Sequence, residues 1–247
     1  MCRMLGIVSR KPAPVETLMA FRQLADTGRN YRDFGCPQPD PKPGHPDGWG
    51  IACVGEGEEV YRRGAAKAAK DSAYEETAKA VGRMANPPFL LLAHVRRAPR
   101  RDEIRSDFNH PFRREVGGRL VFFAHDGVCE GFGVRDGKTD SMALFDRLLE
   151  RLGPARPDEG GFKQAAAEVK AAFDAEFPRK VSSYTFVMID GDRLIAHRDA
   201  RTCVPYYALH EAKREGISIV CSEVLPGFEG KWRLLRNGEL VILPSAG

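Results

Sequence analysis

Apolar residues recur along this chain in two rhythms. Unbroken apolar runs at residues 89–95 and 120–124 predict strands buried on both faces. A shorter run at 3–8 predicts a strand at the start, and 51–54 and 59–62 predict a hairpin around Gly55-Glu56-Gly57. A helical period appears at 15–25, where Leu18, Phe21, Leu24 and Ala25 share a side, and again at 65–84, which Asn86-Pro87-Pro88 ends. Two further helices are predicted at 142–152 and 162–177. Thr139-Asp140-Ser141 supplies a cap for the first, and Pro178 closes the second. Strands return afterwards at 184–190, 193–197, 205–209, 217–221, 232–235 and 239–243, with Asp190-Gly191-Asp192 and Asn237-Gly238 as turns. Prolines and glycines across 27–47 predict a long loop. Strands, helices and strands again, with no repeat or linker, predict one layered domain of mixed α and β structure over residues 1–247.

Composition narrows the function classes. The net charge of +4, from 38 basic and 34 acidic residues, is too balanced for a nucleic-acid binder. No apolar run approaches the roughly 20 residues of a membrane span, and Arg10-Lys11-Pro12 cuts short any signal-like segment. Six cysteines at wide spacings in 247 residues predict reduced thiols in a cytoplasm rather than a disulfide scaffold.

The candidate chemistry begins at Cys2. Removal of Met1, which a small second residue permits, would leave Cys2 with a thiol and a free α-amine. Thiolate is the nucleophile, and an α-amine of pKa about 7.7–8.0 is a suitable base at neutral pH. A cysteine here can equally be a small buried hydrophobe. Further on, predicted strands end in Arg96 and in His125-Asp126-Gly127, and His45-Pro46-Asp47-Gly48-Trp49-Gly50 opens another. One site at a common sheet end would gather them. His94, His110 and His125 lack the spacing of zinc motifs, so no metal is expected.

These segments, with Ala93-His94-Val95-Arg96, Asn109-His110-Pro111-Phe112 and Thr139-Asp140-Ser141, occur in an order that resembles the class II glutamine amidotransferase domains. Those domains belong to the N-terminal nucleophile (Ntn) hydrolases. The likeness is greatest to stand-alone members, γ-glutamyl hydrolases included. It implies an α+β fold, a four-layer αββα sandwich of two antiparallel sheets. It also implies attack by Cys2 on the γ-amide of glutamine or a γ-glutamyl compound, through a thioester that water releases as glutamate. By the same likeness Arg96 holds the substrate α-carboxylate, Asp140 holds its α-ammonium, and the Gly127 N–H is an oxyanion donor. Trp49, Gly50 and His94 lie beside the nucleophile. No cofactor is implied. An ammonia-accepting synthase subunit is the implied partner, since none follows in the chain.

One departure stands out. The family has asparagine where this chain has Asp126, and that side-chain amide is the second oxyanion donor. An ionised carboxylate cannot donate. Two other readings therefore stay open. One is a catalytically impaired fold that binds a γ-glutamyl ligand or a partner. The other is an Ntn acylase or peptidase for another acyl group, against which the amino-acid-shaped pair Arg96 and Asp140 argues.

Overall fold

Strand parity sorts the side chains of this protein into three cores. In a computed structural model describing residues 2–12, 15–37 and 44–245, β1 (Cys2–Ser9) runs antiparallel between β4 (Phe89–Arg96) and β10 (Ile217–Cys221). β2 (Trp49–Gly55) and β3 (Glu58–Gly64) extend this sheet beyond β4, and β9 (His210–Arg214) and β11 (Arg233–Leu234) extend it beyond β10, for seven strands. A second, five-stranded sheet holds β5 (Phe112–Val116), β6 (Arg119–Asp126), β7 (Thr185–Asp190), β8 (Arg193–His197) and β12 (Leu240–Pro244) in the order β12-β8-β7-β6-β5.

Odd-numbered residues of β1, β2 and β4, among them Leu5, Ile7, Ile51, Leu91 and Ala93, pack under α1 (Val15–Arg22), α2 (Leu24–Thr27) and α3 (Ser72–Val81). Even-numbered Met4, Val8, Ala52, Leu90 and Leu92 meet Phe122, Ala124 and Val187 of the other sheet. Val121, Phe123 and Met188 face α4 (Asp140–Leu152) and α5 (Glu159–Glu176) on the far side. The result is a four-layer αββα sandwich of two antiparallel sheets, the Ntn-hydrolase arrangement. Burying both faces of each sheet explains the unbroken apolar runs of β4 and β6.

Local differences from the sequence pattern have local causes. The helix expected over 65–84 is shorter, because the Asp71 side chain accepts the Ala73 N–H at 3.0 Å and starts α3 there. The helix expected from 142 starts at Asp140, capped by Thr139, whose Oγ1 accepts the Met142 N–H at 3.3 Å. Residues 205–209 form no strand. Tyr206 and Tyr207 instead pack in a small aromatic cluster with Tyr31 and Phe34. The edge strand β5, Phe-Arg-Arg-Glu-Val, and β9, His-Glu-Ala-Lys-Arg, which only the two-residue β11 covers, are too polar to show in the hydrophobic pattern. Part of the long loop predicted at 27–47 falls on residues 38–43, outside the described residues. Its earlier part is tied down by a Cys36–Cys203 disulfide, a bridge the wide cysteine spacing did not predict. Cys2, Cys53, Cys129 and Cys221 are free. No helix among the described residues is long and apolar enough to cross a membrane.

Candidate active site

Register brings the predicted residues together. Cys2 on β1 pairs with Arg96 on β4, and Met4 pairs with His94, which in turn pairs with Gly50 on β2. Parity turns Cys2, His94, Arg96 and Gly50 toward the second sheet, where β6 ends in Asp126 and Gly127 follows. Cys2, Arg96, Gly127 and Asp140 line one narrow cavity of about 20 Å³ at this sheet end, with His110 and His125. Asp140 reaches it because α4 begins there. Its carboxylate accepts the Cys129 and Ser141 N–H groups at 2.7 Å each, which fixes it at the helix N-terminus. Gly127 is required by close packing, because a Cβ there would lie 2.2 Å from the Ser183 carbonyl oxygen.

Asp126 does not line the cavity. Its Oδ1 accepts the Cys2 backbone N–H at 2.8 Å, and its Oδ2 lies 3.8 Å from Nη1 of Arg3. Sequence reasoning expected this carboxyl to face the oxyanion. The structure turns it behind Cys2 instead, where a buried carboxylate finds a donor and a cation. Burial, and after it the neighbouring Cys2 sulfur, push its pKa up to about 7. Arg3 is fully buried. Its Nε donates to Glu223 Oε1 at 2.5 Å, its Nη1 donates to the Cys2 carbonyl at 2.8 Å, and its guanidinium lies 4.2 Å from the centre of the Tyr206 ring. Burial opposes its charge, but Tyr206, Glu223 and Asp126 together hold its pKa above the ordinary value.

Arg96 points into the site with its fork already engaged. Nη1 donates to the Glu103 carbonyl at 2.6 Å and to Asn109 Oδ1 at 3.3 Å, and Nη2 meets Glu103 Oε2 at 3.5 Å. Burial raises the Glu103 pKa, and Arg100 and Arg96 oppose that rise. His94 and His110 form a pair, Nε2 to Nδ1, at 2.9 Å. Burial holds both well below the usual imidazole pKa, so both rings are neutral. His125 bridges Ser141 Oγ (2.9 Å) and the Ser183 carbonyl (3.0 Å), joining α4 to the segment before β7.

Trp49 is not beside Cys2. Being odd-numbered, it faces the helices, where its Nε1 donates to Asp71 at 2.7 Å and its ring packs edge-on against Tyr74. Gly50 faces the inter-sheet side, but a Cβ there would lie 2.1 Å from the His110 carbonyl, so it seats the His110 loop rather than the ligand cavity.

The family pattern described as "Glutamine amidotransferases class-II" matches residues 1–245. The chain belongs to the class II glutamine amidotransferases. It is 25% identical to the glutamine amidotransferase candidate YafJ of Escherichia coli K12, over 98% of this chain and all of that protein. A glutamine amidotransferase candidate of Haemophilus influenzae is 27% identical over 80% of this chain and 63% of its own length. In structure, the chain resembles the glutamine phosphoribosylpyrophosphate amidotransferase of B. subtilis (TM-score 0.65, 15% identity, all of this chain and 48% of that one). It also resembles a glutamine aminotransferase class-II domain protein of Silicibacter pomeroyi (TM-score 0.61, 18% identity, 98% of this chain and 94% of that one).

In this amidotransferase the donors best placed for a metal are Cys2, His94 and His110, whose candidate ligand atoms lie within 4.8 Å of one another. Of these, His94 Nε2 and His110 Nδ1 already satisfy each other at 2.9 Å. Sequence reasoning missed Arg3, Glu223 and Glu103. Arg3 carried a signal, since it is a lone charge inside the apolar run that opens the chain.

Proposed function

We propose that this amidotransferase hydrolyses the γ-amide of glutamine or a γ-glutamyl compound with Cys2 as nucleophile. One observation carries the reading: Cys2, Gly127, Arg96 and Asp140 converge on one cavity from four separate parts of the chain. With Met1 removed, the Cys2 nitrogen becomes the α-amine that takes the thiol proton. Gly127 supplies an oxyanion N–H. Arg96 holds the substrate α-carboxylate, a task suited to a planar two-pronged donor, and Asp140 holds the α-ammonium. His94, through its bond to His110, supports the wall of the site beside Cys2. The unit that acts is one domain spanning the chain, with Cys2 a free thiol. Released ammonia passes to a separate synthase subunit or leaves as a by-product.

Glutamate release from glutamine by the purified, Met1-free protein is the test. The rival reading, a fold that binds γ-glutamyl ligands without turnover, draws on Asp126 and on an Arg96 already held by Glu103. Tight binding of glutamine with no glutamate formed would decide for the rival.

The Glu103 contact gives a prediction of its own. A substrate carboxylate must compete with Glu103 for the Arg96 fork. Glu103→Gln removes the competing charge but keeps the backbone carbonyl contact, so KM for glutamine is expected to fall by roughly threefold to tenfold with kcat nearly unchanged. Steady-state kinetics check this. An unchanged or raised KM would remove the carboxylate from the Arg96 assignment.

A further inference from the structure

A second cavity, of about 290 Å³, adjoins the Cys2 cavity and shares Arg97, Pro99 and Val128 with it. Its remaining walls come from Tyr31, from the 179–182 segment, and from Glu130 and Thr202. Two cations, Arg179 and Lys180, line it together with one carboxylate, Glu130. Arg179 and Lys180 enter no ion pair among the described residues. Arg179 sits at φ 58°, a left-handed backbone rare outside glycine and asparagine, and this turn presents two consecutive cations at the cavity rim. The wall is anchored to the site. Val128 N–H donates to Ser182 Oγ at 2.9 Å, Ser182 N–H donates to the Val128 carbonyl at 2.9 Å, and Glu130 N–H donates to the Lys180 carbonyl at 2.9 Å. Val128 follows directly on Gly127, so the cavity adjoins the proposed oxyanion donor.

We propose that this cavity receives the leaving amine of the substrate, and that this amine is an amino acid or short peptide with a free carboxylate. The proposal rests on the amidohydrolase reading above. Ammonia is about the size of a water molecule, some 30 Å³, and needs no chamber of this volume. In a γ-glutamyl amino acid the leaving carboxylate sits one carbon from the scissile nitrogen. Arg97, which lines both cavities, is buried at that junction with its Nη1 donating to the Gly44 carbonyl at 3.2 Å. Pro99, Val128, Val181 and the Tyr31 ring give the leaving side chain an apolar wall, and Arg179 and Lys180 meet its carboxylate at the rim. The chemistry balances with water alone. The Cys2 sulfur bonds to the γ-carbon, and the C–N bond breaks. The amine leaves with the proton first taken from the thiol. Water then gives its hydroxyl to the acyl carbon and a proton back to the sulfur.

The experiment compares kcat/KM for glutamine, γ-glutamylalanine and γ-glutamylalaninamide, in the wild type and in Arg179→Asn/Lys180→Gln. The second and third substrates differ only in the terminal charge, and asparagine suits the left-handed position. The wild type is expected to prefer the carboxylate over the amide by about tenfold or more, and the double variant to bring that ratio close to one. Equal rates on the two alanine compounds in the wild type would overturn the proposal, as would a preference that the double variant leaves intact. Turnover of glutamine with none of γ-glutamylalanine would overturn this proposal alone. No glutamate from any of the three would overturn the parent reading as well.

Discussion

Exchanging Cys2 for alanine is expected to cut glutamate release by about 10⁴-fold or more, the scale seen when a covalent nucleophile is deleted. The side chain is 5% exposed on a strand hydrogen-bonded on both sides, so losing one sulfur atom should leave the fold intact. Glutamine binding should survive, because Arg96 and Asp140 are untouched. A companion form tests the base. An N-terminal extension that keeps residue 1 attached leaves the thiol in place but turns the Cys2 nitrogen into an amide. It should lose about 10²–10⁴-fold, the usual contribution of a general base. Kinetics with intact-mass confirmation of each N-terminus provide the readout. Full activity in the extended protein would transfer the base to another group, and the neutral His94 and His110 would be next to test.

Much of this architecture was legible because burial on both faces writes itself into sequence. β4 and β6 appear as unbroken apolar runs, and β8 and β10 were bounded correctly by their turns. The edge strand β5 and the near-edge strand β9 were not legible, since a polar strand with one solvated face carries no pattern distinct from a loop. Within the site, segment order pointed to Cys2, Arg96, Gly127 and Asp140, which share a cavity. Trp49 was misplaced although the information was present: Trp49, Ile51 and Cys53 share one parity, and that parity faces the helices. The orientation of Asp126 was not legible at all. It depends on Arg3 and Cys2 arriving from the other sheet, a contact spanning 124 residues of sequence.

That contact sets the second prediction, for Asp126→Asn. With residue 1 attached, the Asp126 carboxyl titrates at about 7 rather than the ordinary value of 3.8, raised by burial and then by the Cys2 sulfur. The folded state therefore keeps a proton that the unfolded chain has lost, and folding is weakened as that proton is withdrawn. Stability should be highest below about pH 4, decline between pH 4 and 7, and then level off. The full loss is about 4 kcal/mol, the free-energy equivalent of moving the carboxyl from 3.8 to about 7. Asparagine has no such titration. In the N-terminally extended protein, urea unfolding should show the variant gaining on the parent across that window and hardly differing at pH 4.

Once Met1 is gone the logic inverts. The Cys2 nitrogen, 2.8 Å from Oδ1, becomes an ammonium whose charge the carboxylate favours. The amine pKa is then expected above the free value of about 7.7–8.0, which withholds the base at neutral pH. Arg3, on the other side of the carboxylate, tempers this attraction without removing it. Asp126→Asn keeps an oxygen acceptor for the amine but removes the charge. The acid limb of kcat/KM should move down by about one unit, a tenfold gain at pH 7 with the alkaline plateau unchanged. An oxyanion role for residue 126 predicts something different: a plateau raised by about 10²–10³ at every pH, with the limb where it was. A pH profile of both proteins separates the two, and coincident profiles would leave residue 126 with neither role.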